Sequence, residues 1–77
     1  MNIGVIKWYV PKKGYGFIQP KDGGKDVFLH VSALQKANID SLSKEQLEGL
    51  WAGYEVQLDR DYREFAANIK IVINDLE

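Results

Sequence analysis

Apolar and polar residues alternate at period two along much of this chain, the spacing of half-buried strands. The alternation is cleanest over residues 15–19, where Tyr15, Phe17 and Gln19 face one way and Gly16 and Ile18 the other. Residues 26–30 repeat it, with Phe28 and His30 on one face and Val27 and Leu29 on the other. Residues 2–10 are β-prone, but their alternation is broken. Over 54–60, Tyr54, Val56 and Leu58 share a face; over 65–73, Phe65, Ala67, Ile69, Ile71 and Ile73 do. Pro11-Lys12-Lys13-Gly14 marks a turn, and Asp22-Gly23-Gly24 marks a hairpin. Five short strands predict an all-β fold, a small barrel whose closure leaves no open sheet edge.

One stretch breaks the β pattern. Ser43-Lys44-Glu45-Gln46 has the spacing of a capping box, with Ser43 as N-cap and Gln46 reaching back. Leu42 and Leu47 are placed to staple the same end. Leu47, Leu50 and Trp51 then recur at helical spacing, with Gly53 just beyond. The pattern predicts a short helix over 43–51 between the third and fourth strands. A helix of that length is marginal alone and must pack on the barrel.

The two clean strands agree about what faces where. A barrel has one interior, and the aliphatic set Ile18, Val27 and Leu29 suits it. That leaves Tyr15, Phe17, Phe28 and His30 outside, where burial does not explain them. The opposite assignment would put a phenol and an imidazole in the core, each needing a hydrogen-bond partner. Exposed rings beside lysines suit single-stranded nucleic acid, because every base has a π face and a duplex hides it. Lys7 and Lys13 are placed to neutralise phosphates.

Charge sharpens this reading. The net charge is −1, which by itself gives no reason to expect a polyanion partner. Yet residues 1–36 hold six lysines against two aspartates, +4, and residues 37–77 carry −5. The lysine-rich half is the one with the rings, so one face can be positive despite the total. Other chemistry is thin. Cysteine is absent, His30 is the one histidine, and no metal-ligand spacing or P-loop occurs. Asp59 and Asp61 are placed on one strand face, as a solvated carboxylate pair. No catalytic residue, metal or cofactor is expected, and the chain is not expected to be an enzyme. Its 77 residues suit a single domain over 1–77. With no signal-like or membrane-spanning segment in view, the cytoplasm is the expected compartment.

The ordered motifs resemble those of the bacterial cold-shock family. Lys13-Gly14-Tyr15-Gly16-Phe17-Ile18 is similar to the first ribonucleoprotein motif of cold-shock domains, and Val27-Phe28-Leu29-His30 to the second. Lys7-Trp8-Tyr9 resembles the family's opening motif, and Ala66-Ala67-Asn68-Ile69 its closing one. Asp22-Gly23-Gly24 and Ser32-Ala33 also match. The resemblance is dense over 3–35 and sparser beyond.

It implies a five-stranded antiparallel OB-like barrel that binds single-stranded RNA and DNA, as an RNA chaperone or regulator. It implies binding positions at Lys7, Trp8, Lys13, Tyr15, Phe17, Phe28 and His30, with Tyr9 left to packing. There are departures. Val10 stands in place of Asn, Val31 in place of a further stacking Phe, and Ile39 where a loop aromatic is common. Residues are inserted before Trp51, and the loop before Phe65 is short and lacks Gly-Pro. Arg60, Tyr62, Arg63 and Phe65 are the residues available to compensate. The rival expectation is a small barrel that uses its rings to bind proteins or peptides. A monomer is expected, with a dimer left open.

Overall fold

The computed structural model describes residues 1–72. Five strands form a closed barrel: β1 (Asn2–Val10), β2 (Tyr15–Pro20), β3 (Val27–His30), β4 (Trp51–Leu58) and β5 (Glu64–Ile71). Their order around the barrel is β1-β2-β3-β5-β4, with β4 closing on β1. Pairing is antiparallel except at one seam. There β3 and β5 meet in parallel through Phe28 and Phe65, with β4 lying between them in the chain. Two short helices lie between β3 and β4, α1 (Val31–Lys36) and α2 (Lys44–Leu47). No helix among the described residues is long and apolar enough to cross a membrane.

The interior is built from Ile6, Tyr9, Ile18, Val27, Leu29, Tyr54, Ala66 and Ile69, with Leu34 and Leu47 closing it from α1 and α2. The broken alternation of β1 has a structural cause. Ile6 pairs with Ile18 but Trp8 pairs with Phe17, so Lys7 is an extra residue, a β-bulge. The bulge lets Ile6 and Tyr9, three residues apart, both point inward while Trp8 points out.

A second bulge corrects the reading of the last strand. Gly53 pairs with Lys70 but Glu55 with Ala67, so β5 carries one extra residue there. Asn68 sits in it at φ 52°, a left-handed conformation that asparagine tolerates, and donates to the Glu55 carboxylate at 2.6 Å. The inward residues are therefore Ala66 and Ile69, not an unbroken alternate set from Phe65. Ile73 lies outside the described residues. On β4, the three residues expected on one face differ in burial: Tyr54 is buried, but Val56 and Leu58 are 37% and 57% exposed. β1 covers β4 only between Trp51 and Tyr54. Beyond that, β4 is paired through β5 alone, as at Gln57 and Phe65, while the other edge of β5 meets β3 at Phe28.

The helix expected over 43–51 is a single turn. Its capping box is present: the Gln46 N–H donates to Ser43 Oγ at 3.2 Å, and the Ser43 N–H donates to Gln46 Oε1 at 2.9 Å. Gly49, at φ 91°, then turns the chain away. The Gly49 N–H donates to the Ile6 carbonyl at 2.8 Å, and the Ile6 N–H donates to the Leu50 carbonyl at 2.9 Å. Sheet pairing thus takes over before a second turn forms, and Trp51 opens β4. Helix α1 was not anticipated. Its N-cap is His30, whose Nδ1 accepts the Ser32 N–H.

Candidate nucleic-acid interface

The ring-bearing face is assembled by cross-strand pairing. Phe17 lies directly opposite Phe28, Tyr15 opposite His30, and Trp8 opposite Phe17. Residues opposite each other on one face of a sheet place their side chains in contact. Trp8 and Phe17 have centroids 5.1 Å apart, Phe17 and Phe28 5.7 Å, Tyr15 and Phe28 5.5 Å, and Phe28 and His30 6.3 Å. The five rings form one continuous patch on the outer wall. Trp8, Tyr15, Phe17 and Phe28 are partly exposed and His30 is exposed, whereas Ile18, Val27 and Leu29 behind them are buried. The aliphatic interior and aromatic exterior expected of β2 and β3 are what these strands present.

Two details of the backbone hold the patch together. A Cβ on Gly16 would lie 2.1 Å from the Trp8 carbonyl oxygen, so glycine alone lets β1 and β2 approach here. The other is the β1 bulge, which rotates Trp8 onto the patch. His30 is held by its own helix cap. Its Nδ1 takes the Ser32 N–H at 3.1 Å and lies 2.9 Å from Ser32 Oγ, so Nε2 is the ring nitrogen left for other partners.

The two candidate phosphate lysines differ. Lys7 Nζ is 3.2 Å from Asp26 Oδ2, so a phosphate competes with that carboxylate for it. Lys13 is exposed in the β1–β2 turn and makes no ion pair among the described residues. Asp26 was absent from the sequence expectations. It lies 19 positions from Lys7, and no local pattern signals a pair at that separation. Tyr9, by contrast, is buried, and burial raises its phenol pKa, with Asp40 adding to the effect.

Beside the patch opens a cleft of about 630 Å³, lined by Phe17 and Phe28, by Tyr62 and Arg63 of the β4–β5 loop, and by Glu64 at the start of β5. Asp59 and Asp61 sit in this loop rather than on a strand face. The Asp59 carboxylate accepts the N–H groups of Asp61 at 2.8 Å and Arg63 at 3.0 Å. The Arg63 N–H leads in holding the Asp59 carboxyl below its usual range, with the Asp61 N–H and the Arg63 guanidinium in support. Among the described residues no cluster of His, Cys, Asp and Glu is placed to hold a metal ion.

Comparison with known proteins agrees with this geometry. Residues 2–71 match the family described as the 'Cold-shock' DNA-binding domain. The chain is 54% identical over 43 residues to cold shock-like protein CspI of Escherichia coli K12, covering 56% of this chain and 61% of that protein. The match thus spans about three fifths of that relative's length. Longer matches are 46% identity over 59 residues to cold shock protein CspA of Rhizobium meliloti, covering 77% of this chain and 80% of the relative. Probable cold shock protein y4cH of Sinorhizobium fredii is 40% identical over 68 residues, covering 88% and 93%. With a closed five-stranded barrel, an outward aromatic patch and a family match across the strands that build both, the chain belongs to the cold-shock domain family, whose members are nucleic-acid-binding and not enzymes.

Proposed function

We propose that residues 1–77 act as one unit that binds single-stranded RNA and DNA. Unpaired bases stack on Trp8, Tyr15, Phe17, Phe28 and His30, and phosphates are held by Lys7 and Lys13. The observation that carries this reading is the continuity of the five rings on the outer wall, with neighbouring centroids between 5.1 and 6.3 Å apart. Each base–ring stack contributes ~1–3 kcal/mol with little regard to sequence. A protein that binds only the open strand shifts an RNA hairpin toward its open form by mass action. That is the physical content of an RNA-chaperone role, carried out in the cytoplasm.

The test is a tryptophan-fluorescence titration with short single-stranded oligonucleotides and their matched duplex. Quenching by the single strand, with pyrimidine-rich strands bound best and the duplex bound weakly, is the expected result. Equal affinity for the duplex contradicts stacking. A tryptophan signal that does not respond to any oligonucleotide favours the protein- or peptide-binding reading instead.

A further inference from the structure

The β4–β5 loop holds an aromatic residue where the backbone favours glycine. Tyr62 adopts φ 60°, the left-handed conformation that glycine and asparagine adopt readily and a bulky side chain adopts at a cost. The loop leaves it no alternative. The Tyr62 N–H donates to the Asp59 carbonyl at 3.0 Å, and the Asp59 N–H donates to the Arg63 carbonyl at 3.0 Å. The Arg63 guanidinium adds ion pairs to Asp59 at 3.4 Å and Asp61 at 3.1 Å. Burial does not offset the strain, because Tyr62 is 83% exposed. An unfavourable conformation kept by an exposed ring points to a role outside folding.

The ring's position suggests that role. Tyr62 lines the cleft of about 630 Å³ that Phe17 and Phe28 also line, and pockets of ~300–1,000 Å³ are the usual size for small organic groups. We propose that Tyr62 is the second wall of a base-sandwiching subsite, in which an unpaired nucleobase lies on the Phe17–Phe28 side and is covered by the Tyr62 ring. The occupant is a base and not a phosphate. The cleft is lined by three carboxylates, Asp26, Asp59 and Glu64, against the cations Lys25 and Arg63, a balance that gives a phosphate no net attraction, while base N–H groups are donors the carboxylates accept. Arg63 is already engaged by Asp59 and Asp61. The proposal rests on the stacking reading above and adds to it a ring from the shortened loop.

The test compares Tyr62→Gly, Tyr62→Asn and Tyr62→Phe with the parent chain and with Phe17→Ala. Affinity for a short oligothymidine is measured by titration, and the melting temperature by circular dichroism. Glycine and asparagine relieve the strain and remove the ring. Both variants are expected to melt at or above the parent temperature and to bind about fivefold more weakly or worse, the loss of one base stack. Tyr62→Phe keeps the ring and is expected to bind within about twofold of the parent. In the parent, the Tyr62 ring protons are expected to shift upfield in NMR as oligothymidine is added. Parent-like binding by both Tyr62→Gly and Tyr62→Asn, with Phe17→Ala weakened, overturns the sandwich and leaves the ring face standing. Parent-like binding by Phe17→Ala as well removes both readings.

Discussion

Two neighbours on one strand have opposite duties here. Ile18 is fully buried and Phe17 is not, and across the ladder the same holds for Leu29 and Phe28. Truncating Phe17 or Phe28 to alanine removes a stacking platform but opens no cavity in the interior. Each is expected to weaken oligonucleotide binding by ~1–3 kcal/mol while the barrel stays folded. Ile18→Ala and Leu29→Ala remove fully buried methyl groups and are expected to cost ~2–5 kcal/mol of stability, a large share of what a small domain has. Thermal melts and titrations on the four variants separate the roles. Unfolding by the Phe variants, with the Ile18 and Leu29 variants unharmed, would invert the assignment of faces. Gly16→Ala belongs to neither class. Its Cβ would meet the Trp8 carbonyl at 2.1 Å and push β1 and β2 apart, so both stability and binding are expected to fall.

At the scale of elements, the inserted segment acts as a brace for the β1 bulge. A bulge leaves backbone groups without their ladder partners. Here the Tyr9 N–H donates to Glu48 Oε2 at 3.1 Å, and Gly49 and Leu50 pair with Ile6 on the near side of the bulge. The segment thereby supports the very turn of the chain that sends Trp8 outward. Lys44, first, and the Tyr9 N–H, second, hold the Glu48 carboxyl below its usual value of 4.5. Asp59 is likewise lowered in the β4–β5 loop, from 3.8, by the N–H of Arg63 first. A carboxyl whose folded pKa is depressed contributes stability at pH above its unfolded value and loses it as pH falls through the folded one. Melting temperature is therefore expected to be flat from neutral pH down to about pH 5 and to drop below that. Glu48→Gln is expected to make the drop shallower, since it removes one of the groups that protonates. An equally steep drop in that variant would show that the Glu48 carboxylate is not among the groups whose protonation destabilises the fold.

For the whole molecule, the deciding quantity is how charge is laid over the fold. The six lysines of residues 1–36 lie in β1, in the turns that join β1, β2 and β3, and at the end of α1, in the half of the chain that carries the rings. The acidic excess lies in the later half. Lys7 shares its charge with Asp26, and of the lysines only Lys7 and Lys13 are assigned to phosphates beside the rings. With ~2–4 phosphates neutralised, log K is expected to fall against log salt with a slope of about −1.5 to −3. Affinities for a short oligonucleotide over a range of salt concentrations give the slope directly. A value steeper than about −5 would mean that phosphate contacts outweigh stacking.

What the sequence determined by itself was whatever a regular period could carry. β2 and β3 have no bulge, so alternation alone separates their rings from their aliphatics, and with it most of the candidate interface. Ser43 and Gln46 are three residues apart and bond to each other, so their capping box was equally legible. Tertiary structure decided everything that depends on a partner distant in the chain. Lys7 is an extra residue only in relation to β2, and Asn68 only in relation to β4, so neither bulge shows until the strands pair. Helix α2 stops after one turn because the backbone at Gly49 and Leu50 is taken up by Ile6. Helix α1 begins at a histidine, a residue whose capping role depends on the ring orientation that the barrel end imposes. Tyr62 comes to line one cleft with Phe17 and Phe28 only because β5 runs beside β3. Periodicity is a local property of the chain; register, bulges and clefts are relations between segments, and only the closed barrel sets them.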